Sequence, residues 1–238
     1  NNTVSTNNFH GIYLEFSPNT TLINNNASNN SCGYIDVSGV YLFNSDNCTI
    51  KDNIASNNLG EGHGYGIYVS NSRNCLIENN TASCNGCYYR YGIGYGVYLH
   101  SSSNITLTDN NVSSNLCAIY LFDSNNNTII DNTIQKNNVS IHLTISSNNT
   151  ITGNIATNSV YGVCLSCCDP YGVHYGSSSN NNSIISNDIS NSLYGIYVFK
   201  SDNNKIYHNN FINNTVQGYD DTGTNSWDNG YPSGGNYW

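Results

Sequence analysis

A repeat of 22 residues limits what this chain can fold into more than any other feature of its sequence. Ile119 is followed 22 residues later by Ile141, and Asn132 is followed at the same distance by Asn154. Each unit holds three short stretches in which apolar and polar residues alternate, and Asn-rich corners separate them. Self-similarity at a fixed period of about 20–50 residues is typical of a solenoid, so we expect one here.

The alternation inside each unit predicts strands. Residues two apart in a strand face the same side, so the apolar positions of each stretch should face inward. Eight units can be aligned, and their strands are too short to pair within one coil. They must therefore pair with the coils above and below as parallel sheets. The prediction is an all-β, single-domain, right-handed, three-faced parallel β-helix (solenoid), with about eight complete coils plus partial coils at both ends.

Asparagine also recurs in every unit, at two corner positions. Its side chain tolerates left-handed backbone, and its amide can bond to an amide one coil away. We therefore expect two ladders and, for Asn132→Ala, a loss of about 1–3 kcal/mol of stability. The first structural ladder is predicted at Asn25, Asn53, Asn80, Asn110, Asn132, Asn154, Asn187 and Asn209. The second ladder is predicted at Asn19, Asn47, Asn74, Asn104, Asn126, Asn148, Asn181 and Asn203.

Composition excludes some partners and favours an exported protein. Only 9% of the 238 residues are charged, with six Lys plus Arg and a net charge of −9. That is too few cations for a nucleic-acid groove, and no apolar run is long enough for a membrane span. The chain lacks Met, begins Asn1-Asn2-Thr3, and carries nine Cys and many Asn-x-Ser/Thr acceptors. These features predict an extracellular or cell-surface glycoprotein whose signal peptide has been removed.

The cysteines follow the repeat. Cys48 and Cys75 are 27 residues apart, which matches the interval between the neighbouring Ile50 and Ile77. Such pairs should stack on adjacent coils within disulfide reach, although unoxidised core thiols are the alternative. Nine is an odd number, so at least one thiol is unpaired or bonds another molecule. The disulfide candidates are Cys48 with Cys75, Cys87 with Cys117, and a local bridge among Cys164, Cys167 and Cys168.

The repeat has the form G-[IV]-Y-[LV]-x-x-S-x-N-x-T-I-x-x-N-x-[IA]-x-x-N. In this form it resembles the parallel β-helix repeat family of carbohydrate-binding and sugar-hydrolase type. It is also similar to the β-helical accessory proteins of nitrous-oxide reductase and to archaeal envelope proteins. The resemblance covers about residues 2–214 and implies a β-helix over 1–217, with an aromatic C-terminal end-piece over 218–238. It implies little about activity, because this fold carries many functions.

Aromatic residues are the candidates for an interface or a ligand site. One column faces outward from the first strand of each unit, and three insertions leave from one corner at 31–38, 59–65 and 86–95. The column could stiffen the sheet, contact a protein or grip sugar rings. The candidates are Tyr13, Tyr41, Tyr68, Tyr98, Tyr120 and Tyr197 in the column, Tyr88, Tyr89 and Tyr91 in an insertion, and Tyr219, Trp227 and Trp238 in the tail.

Motifs for catalysis are weak. Gly62-His63-Gly64 resembles a fragment of the polygalacturonase signature, but the paired carboxylates of that chemistry are absent near it. We therefore predict no enzymatic activity, and no catalytic, cofactor-binding or metal-binding residue. The turn from Asp220 to Asp228 offers oxygen ligands for calcium, and a cap without metal is the alternative.

The ends of a β-helix expose unpaired strand edges, which suggests how copies could join. We predict an extracellular structural protein, a self-assembling filament or cell-surface scaffold subunit that forms a head-to-tail homopolymer by strand addition. A polysaccharide-binding surface protein, with surface glycans as partners, is the alternative. A polysaccharide lyase or hydrolase is a third interpretation.

Overall fold

A computed structural model of the chain describes residues 2–87, 93–166 and 178–238. For Cys87 it describes the backbone alone. These residues form three parallel sheets that run along a common axis, and successive coils contribute one strand to each sheet. The predicted all-β parallel β-helix is therefore confirmed. Within the described ranges, no helix is long and apolar enough to cross a membrane.

The first sheet has nine strands: β1 (Ile12–Glu15), β3 (Val37–Phe43), β6 (His63–Ser70), β10 (Ile93–His100), β13 (Cys117–Phe122), β16 (Val139–Thr144), β19 (Tyr161–Leu165), β22 (Tyr194–Val198) and β25 (Val216–Asp220). The second has eight: β2 (Thr21–Ile23), β4 (Thr49–Lys51), β7 (Leu76–Glu78), β11 (Thr106–Thr108), β14 (Thr128–Ile130), β17 (Thr150–Thr152), β20 (Ser183–Ile185) and β23 (Lys205–Tyr207). The third has six: β8 (Thr81–Ser83), β12 (Asn111–Ser113), β15 (Thr133–Gln135), β18 (Ile155–Thr157), β21 (Asp188–Ser190) and β24 (Asn210–Ile212). A small fourth sheet pairs β5 (Leu59–Gly60) with β9 (Gly86–Cys87).

The register is the one that the repeat predicts. Ile119 lies beside Ile141 in the first sheet, and Ile129 lies beside Ile151 in the second. These side chains are fully buried in one apolar core that runs through the coils. Like residues therefore lie over like residues, because each inward position is repeated once per coil.

One asparagine column continues without a break along the axis. Each side-chain Nδ2 donates to Oδ1 of the asparagine in the next coil, at 2.9–3.1 Å. The column contains all eight positions of the first predicted ladder, and Asn2 and Asn236 extend it at its two ends. Every amide-to-amide bond of the column runs from one coil to the next in the direction of the carboxyl terminus. Because these amides are buried, their hydrogen bonds hold neighbouring corners in register.

The second predicted ladder requires correction. All eight of its asparagines are exposed and have φ between 57° and 60°, apart from Asn104 at 56°. Only Asn74 to Asn47 and Asn104 to Asn74 form amide contacts, both at 3.3 Å. These residues adopt the left-handed corner conformation that asparagine tolerates, and that geometry turns the side chain to solvent. Two partial ladders, buried except at the half-buried Asn225, lie elsewhere, at Asn30, Asn58, Asn85, Asn115 and Asn137, and at Asn127, Asn149, Asn182, Asn204 and Asn225.

The predicted stacked disulfides are also wrong. Cys48 and Cys75 lie on adjacent coils but are free thiols, and the Cys48 N–H donates to Sγ of Cys75 at 3.4 Å. Both cysteines occupy the column that Asn127 continues, where the sulfur accepts the bond that an amide oxygen takes elsewhere. Cys117 is free as well and lies among the aromatic residues outside the first sheet rather than inside the core. Cys164 is disulfide-bonded, and Cys167 lies outside the described residues.

Free thiols at these positions lead to a chemical prediction. When the protein is denatured without reductant, iodoacetamide should alkylate Cys48, Cys75 and Cys117, as read by peptide mass spectrometry. In the native protein we expect little labelling, because all three side chains are buried, and burial also raises the pKa of the Cys75 thiol to about 11. Recovery of a Cys48–Cys75 cross-linked peptide from protein alkylated before denaturation would contradict the structure.

The tail adds one more turn to the helix and covers its carboxyl-terminal end. Strand β25 crosses the boundary predicted at 217/218 and pairs with β22. Ser226 then bridges to Lys205 in the second sheet, and Tyr237 bridges to Asn210 in the third. Trp238 stacks on Phe211 with a centroid distance of 5.0 Å, so aromatic rings cover the last layer of the core.

Candidate functional site

The insertions lie side by side, as far as the structure describes them. Ser31 bridges to Leu59, and Leu59 pairs with Gly86. The backbone N–H of His63 donates to Oδ1 of Asp36 at 2.8 Å. Gly64 is required here, because a Cβ at that position would stand 1.9 Å from the carbonyl oxygen of Gly86. The insertions therefore form a wall beside the amino-terminal ends of β3, β6 and β10 in the first sheet.

Tyrosines cover the outer side of the first sheet in two adjoining columns. Rings on successive coils stack almost parallel: Tyr41 on Tyr68 at 4.5 Å and 3°, and Tyr68 on Tyr98 at 5.0 Å and 10°. A second column places Tyr65 on Tyr95 at 5.2 Å and 8°. We call this surface the tyrosine face; its members are Tyr41, Tyr65, Tyr68, Tyr95, Tyr98 and Tyr120.

The stacking changes what the tyrosine face can bind. The flat side of each inner ring already contacts the ring of the next coil, so the rings present edges and hydroxyl groups outward. A row of sugar rings cannot lie flat on such a column, because sugar stacking needs an open aromatic face. Within the face, the rings mainly stiffen the sheet.

A cleft of about 530 Å³ lies between the wall and the tyrosine face, near the amino-terminal coils. Phe9 and Ile35 border it, and both side chains are exposed. We call this space the cleft; its lining is Phe9, His10, Ile35, Asp36, Tyr41, Tyr65 and Tyr68. An apolar rim around a few polar groups is the usual composition of a small-ligand site.

His10 is held in one protonation state by its surroundings. Its Nδ1 accepts a hydrogen bond from the backbone N–H of Ser38 at 3.0 Å. Neutral imidazole carries one proton, so the proton must lie on Nε2. Burial lowers the pKa of His10 below its ordinary value of 6.5, although Asp36 acts in the opposite direction. His10 is therefore a neutral donor at physiological pH.

The other polar groups of the cleft are Asp36 and two phenols. The Tyr65 hydroxyl donates to Oδ2 of Asp36 at 3.4 Å. Burial raises the pKa of Tyr65, with a further contribution from Asp36, so the phenol keeps its proton. The Tyr68 hydroxyl contacts Nδ1 of His100 at 3.2 Å, and burial raises the pKa of Tyr68 to about 12. The cleft thus combines one carboxylate acceptor with neutral donors.

The predicted site residues fall into separate places. Tyr41 and Tyr68 line the cleft, whereas Tyr98 and Tyr120 lie farther along the tyrosine face. Tyr13 tilts against Tyr41 and is 45% exposed. The remaining predicted residues lie elsewhere: Tyr197 stacks on Tyr219 near the tail, Trp227 and Trp238 pack in the tail, and Tyr88, Tyr89 and Tyr91 are outside the described residues.

Sequence reasoning missed His10, Asp36, Tyr65 and Tyr95. Tyr65 and Tyr95 each precede the glycine that begins a repeat unit, so the repeat itself carried a signal for a second aromatic column. His10 occupies the same position in the first unit. Asp36 lies in an insertion outside the period, and the repeat holds no signal for it.

The candidate calcium turn uses its carboxylate internally. Oδ1 of Asp220 accepts hydrogen bonds from Thr222 Oγ1 and Asn225 Nδ2, both at 2.9 Å. Oδ2 accepts from the Trp227 indole at 3.2 Å. The described part of the turn therefore shows Asp220 organising the tail, and calcium binding there stays a prediction.

Comparison with protein families gives one match. The sequence model of a family described as "Periplasmic copper-binding protein (NosD)" matches residues 36–170 and 94–238. No protein with a curated description matches the chain.

Several solved structures share the fold. The A-module of Azotobacter vinelandii mannuronan C-5 epimerase AlgE6 superposes with a TM-score of 0.71 at 19% identity, over 88% of this chain and 56% of that one. The periplasmic alginate epimerase AlgG gives 0.62 at 16%, over 87% and 49%. DFA-IIIase from Arthrobacter chlorophenolicus A6 in complex with GF2 gives 0.55 at 13%, over 80% and 49%. The chain spans about half the length of these structures.

These neighbours contradict the expectation that the protein is not an enzyme, because all three are named as enzymes. Identity of 13–19% establishes the fold alone, so the activities are those of the three proteins. The chain is a parallel β-helix of the architecture that carbohydrate-acting proteins use, and absence of activity cannot be inferred from its weak motifs.

Proposed function

Since the chain belongs to the NosD family, described as periplasmic copper-binding proteins, we propose that it acts outside the cytoplasm on a glycan that it binds in the cleft. The composition of the cleft is the observation that carries the proposal. Asp36 can accept hydrogen bonds from sugar hydroxyls, and Nε2 of His10 can donate to them. Phe9 and Ile35 supply the apolar contacts that a sugar ring needs.

The fold of the neighbours supports the same assignment. The names of the AlgE6 and AlgG structures refer to mannuronan and alginate, which are polysaccharides. The Asp36 carboxylate also lines the cleft as a group that can act as a general base, as a reaction on a sugar requires. The cleft therefore suits either retention of a glycan or a reaction on it.

The copper named in the family description does not fit the described residues. Across 2–87, 93–166 and 178–238 no group of three or more His, Cys, Asp or Glu side chains is placed to hold a metal ion. Cys48 and Cys75, the stacked thiols, direct their Sγ atoms toward backbone carbonyls of Ser17 and Ser45. We therefore derive no step of the function through copper.

The proposal predicts that Phe9→Ala weakens glycan binding about fivefold, because roughly 1 kcal/mol of apolar contact at the rim is lost. Phe9 is 51% exposed, so its removal should leave the fold intact. The measurement is binding of the purified chain to a panel of polysaccharides, followed by product analysis after incubation.

Phe16→Ala is the matched control for this experiment. Phe16 directly follows strand β1, is 69% exposed and does not line the cleft. Equal affinities of the two variants, or failure of the native chain to bind any polysaccharide, would contradict the proposal.

A head-to-tail filament or cell-surface scaffold is the second candidate function. One observation favours it: Ile12, Leu14 and Leu22 are only partly buried, and within the described residues β1 pairs with β3 alone. The other end is less suitable, because the tail already occupies the last coil. Glycan binding therefore has the stronger support.

A further inference from the structure

The charges of the cleft identify the class of glycan: we propose that it is an uncharged polysaccharide and not a uronate polymer. This inference rests on the proposed function. It also departs from the substrates named for the AlgE6 and AlgG structures, so it is not carried over from them.

The first argument is the sign of the charge. Asp36 is the charged residue of the lining, and none of the described lysines and arginines borders the cleft. The chain carries a net charge of −9, so the surrounding field is also negative. A carboxylate on each sugar would lie against Asp36, and the two like charges would repel each other near a protein surface.

The second argument is that His10 cannot easily supply a compensating cation. A second proton would have to go to Nδ1, which already accepts the Ser38 N–H. Protonation would remove that acceptor and leave the Ser38 N–H without its bond, inside a strand that lies against Tyr65. The geometry thus keeps the cleft neutral at His10 and negative at Asp36.

The third argument concerns hydroxyl recognition. Asp36 is an acceptor that lines the cleft, and the proton on Nε2 makes His10 a donor there. A sugar hydroxyl both donates and accepts, so an uncharged polyol satisfies this mixed set, whereas a carboxylate can only accept.

The test is titration calorimetry of the native chain with two uncharged polysaccharides, laminarin and galactomannan, and two uronans, alginate and polygalacturonate. At low salt we expect at least one uncharged polymer to bind about tenfold tighter than either uronan. Its affinity should change little up to about 0.15 M salt, where exposed charges are already screened.

Asp36→Asn separates charge from shape. The amide keeps an oxygen for the His63 N–H but removes the negative charge. We expect the preference for the uncharged polymer over the uronans to fall about tenfold, with Tyr34→Ala on the same insertion unchanged as the control. Thermal melting tests whether both variants are folded. If Asp36→Asn does not fold, the titrations of the native chain alone test the inference.

The outcomes distinguish this inference from the proposed function. Tighter binding of a uronan by the native chain would overturn the inference and leave glycan binding intact. Loss of that uronan binding in Arg90→Gln would assign it to an insertion residue outside the described ranges, and the inference would still fail. Binding of none of the four polymers would overturn the inference together with the function on which it rests.

Discussion

Replacing Asn132 by Ala is expected to lower the free energy of unfolding by about 3–5 kcal/mol, more than the repeat pattern alone suggests. Oδ1 of Asn132 accepts from both the backbone and the side chain of Asn110, at 3.0 and 2.9 Å. Its Nδ2 contacts the carbonyls of Leu107 and Ile130 and Oδ1 of Asn154, each at 2.9 Å. The substitution leaves these partners buried without their hydrogen bonds, and each unpaired group adds its own desolvation cost.

Chemical denaturation of the variant measures this effect, and Asn111→Ala is the matched control. Asn111 is exposed in the neighbouring strand β12, so its loss should change stability by less than about 0.5 kcal/mol. Equal midpoints for the two variants would show that the buried column contributes nothing beyond an exposed amide.

Replacing Asp220 by Ala is expected to release the tail from the end of the helix. The carboxylate accepts hydrogen bonds from Thr222, Asn225 and Trp227, which together fold the segment back over the last coil. We expect a loss of about 2–3 kcal/mol of tail docking, as for removal of a hydrogen-bonded charge. Both tryptophans of the chain lie in this tail, so their emission should shift to longer wavelength.

The same carboxylate predicts a dependence on pH. Burial raises the pKa of Asp220, but the hydrogen bonds from Asn225, Thr222 and Trp227 outweigh it and leave the pKa below its ordinary value of 3.8. A group with a lowered folded pKa stabilises above its unfolded pKa and loses that stabilisation as pH falls through the folded one. Tryptophan emission should therefore stay constant from pH 7 to about 4 and shift only below that.

Asp221→Ala is the control for the tail. Asp221 accepts from the backbone of Lys200 at 2.8 Å and contacts neither tryptophan in the described structure. An Asp220→Ala variant with unchanged emission, or a native protein whose emission shifts between pH 7 and 5, would contradict this account.

The sequence predicted the parts of the fold that repeat. Core positions and the first asparagine column follow the period, so aligning the units places them correctly. The second ladder shows the limit of that method. Asn126 is an exposed corner residue, whereas Asn127, one position later, is buried and bonded to Asn149. Both recur with the same period, and only backbone geometry decides which one faces inward.

The cleft was less accessible to sequence reasoning for a related reason. Its walls come from the insertions, which break the period, and its carboxylate Asp36 has no counterpart in other units. The aromatic column was visible, yet the alignment could not show that the Tyr41 and Tyr68 rings stack on each other. Which side of a ring remains open depends on side-chain torsions that a repeat pattern does not contain.

The uniform direction of the buried amide column has a consequence for how such chains change length. Within the column, each asparagine bonds the asparagine one turn later, whether the two are 22, 27, 30 or 33 residues apart. A whole turn can thus be duplicated or deleted without leaving a mismatched donor or acceptor at the joint. The architecture is modular. Gain or loss of a single turn would change the length of the molecule and leave the hydrogen-bond pattern of the column the same.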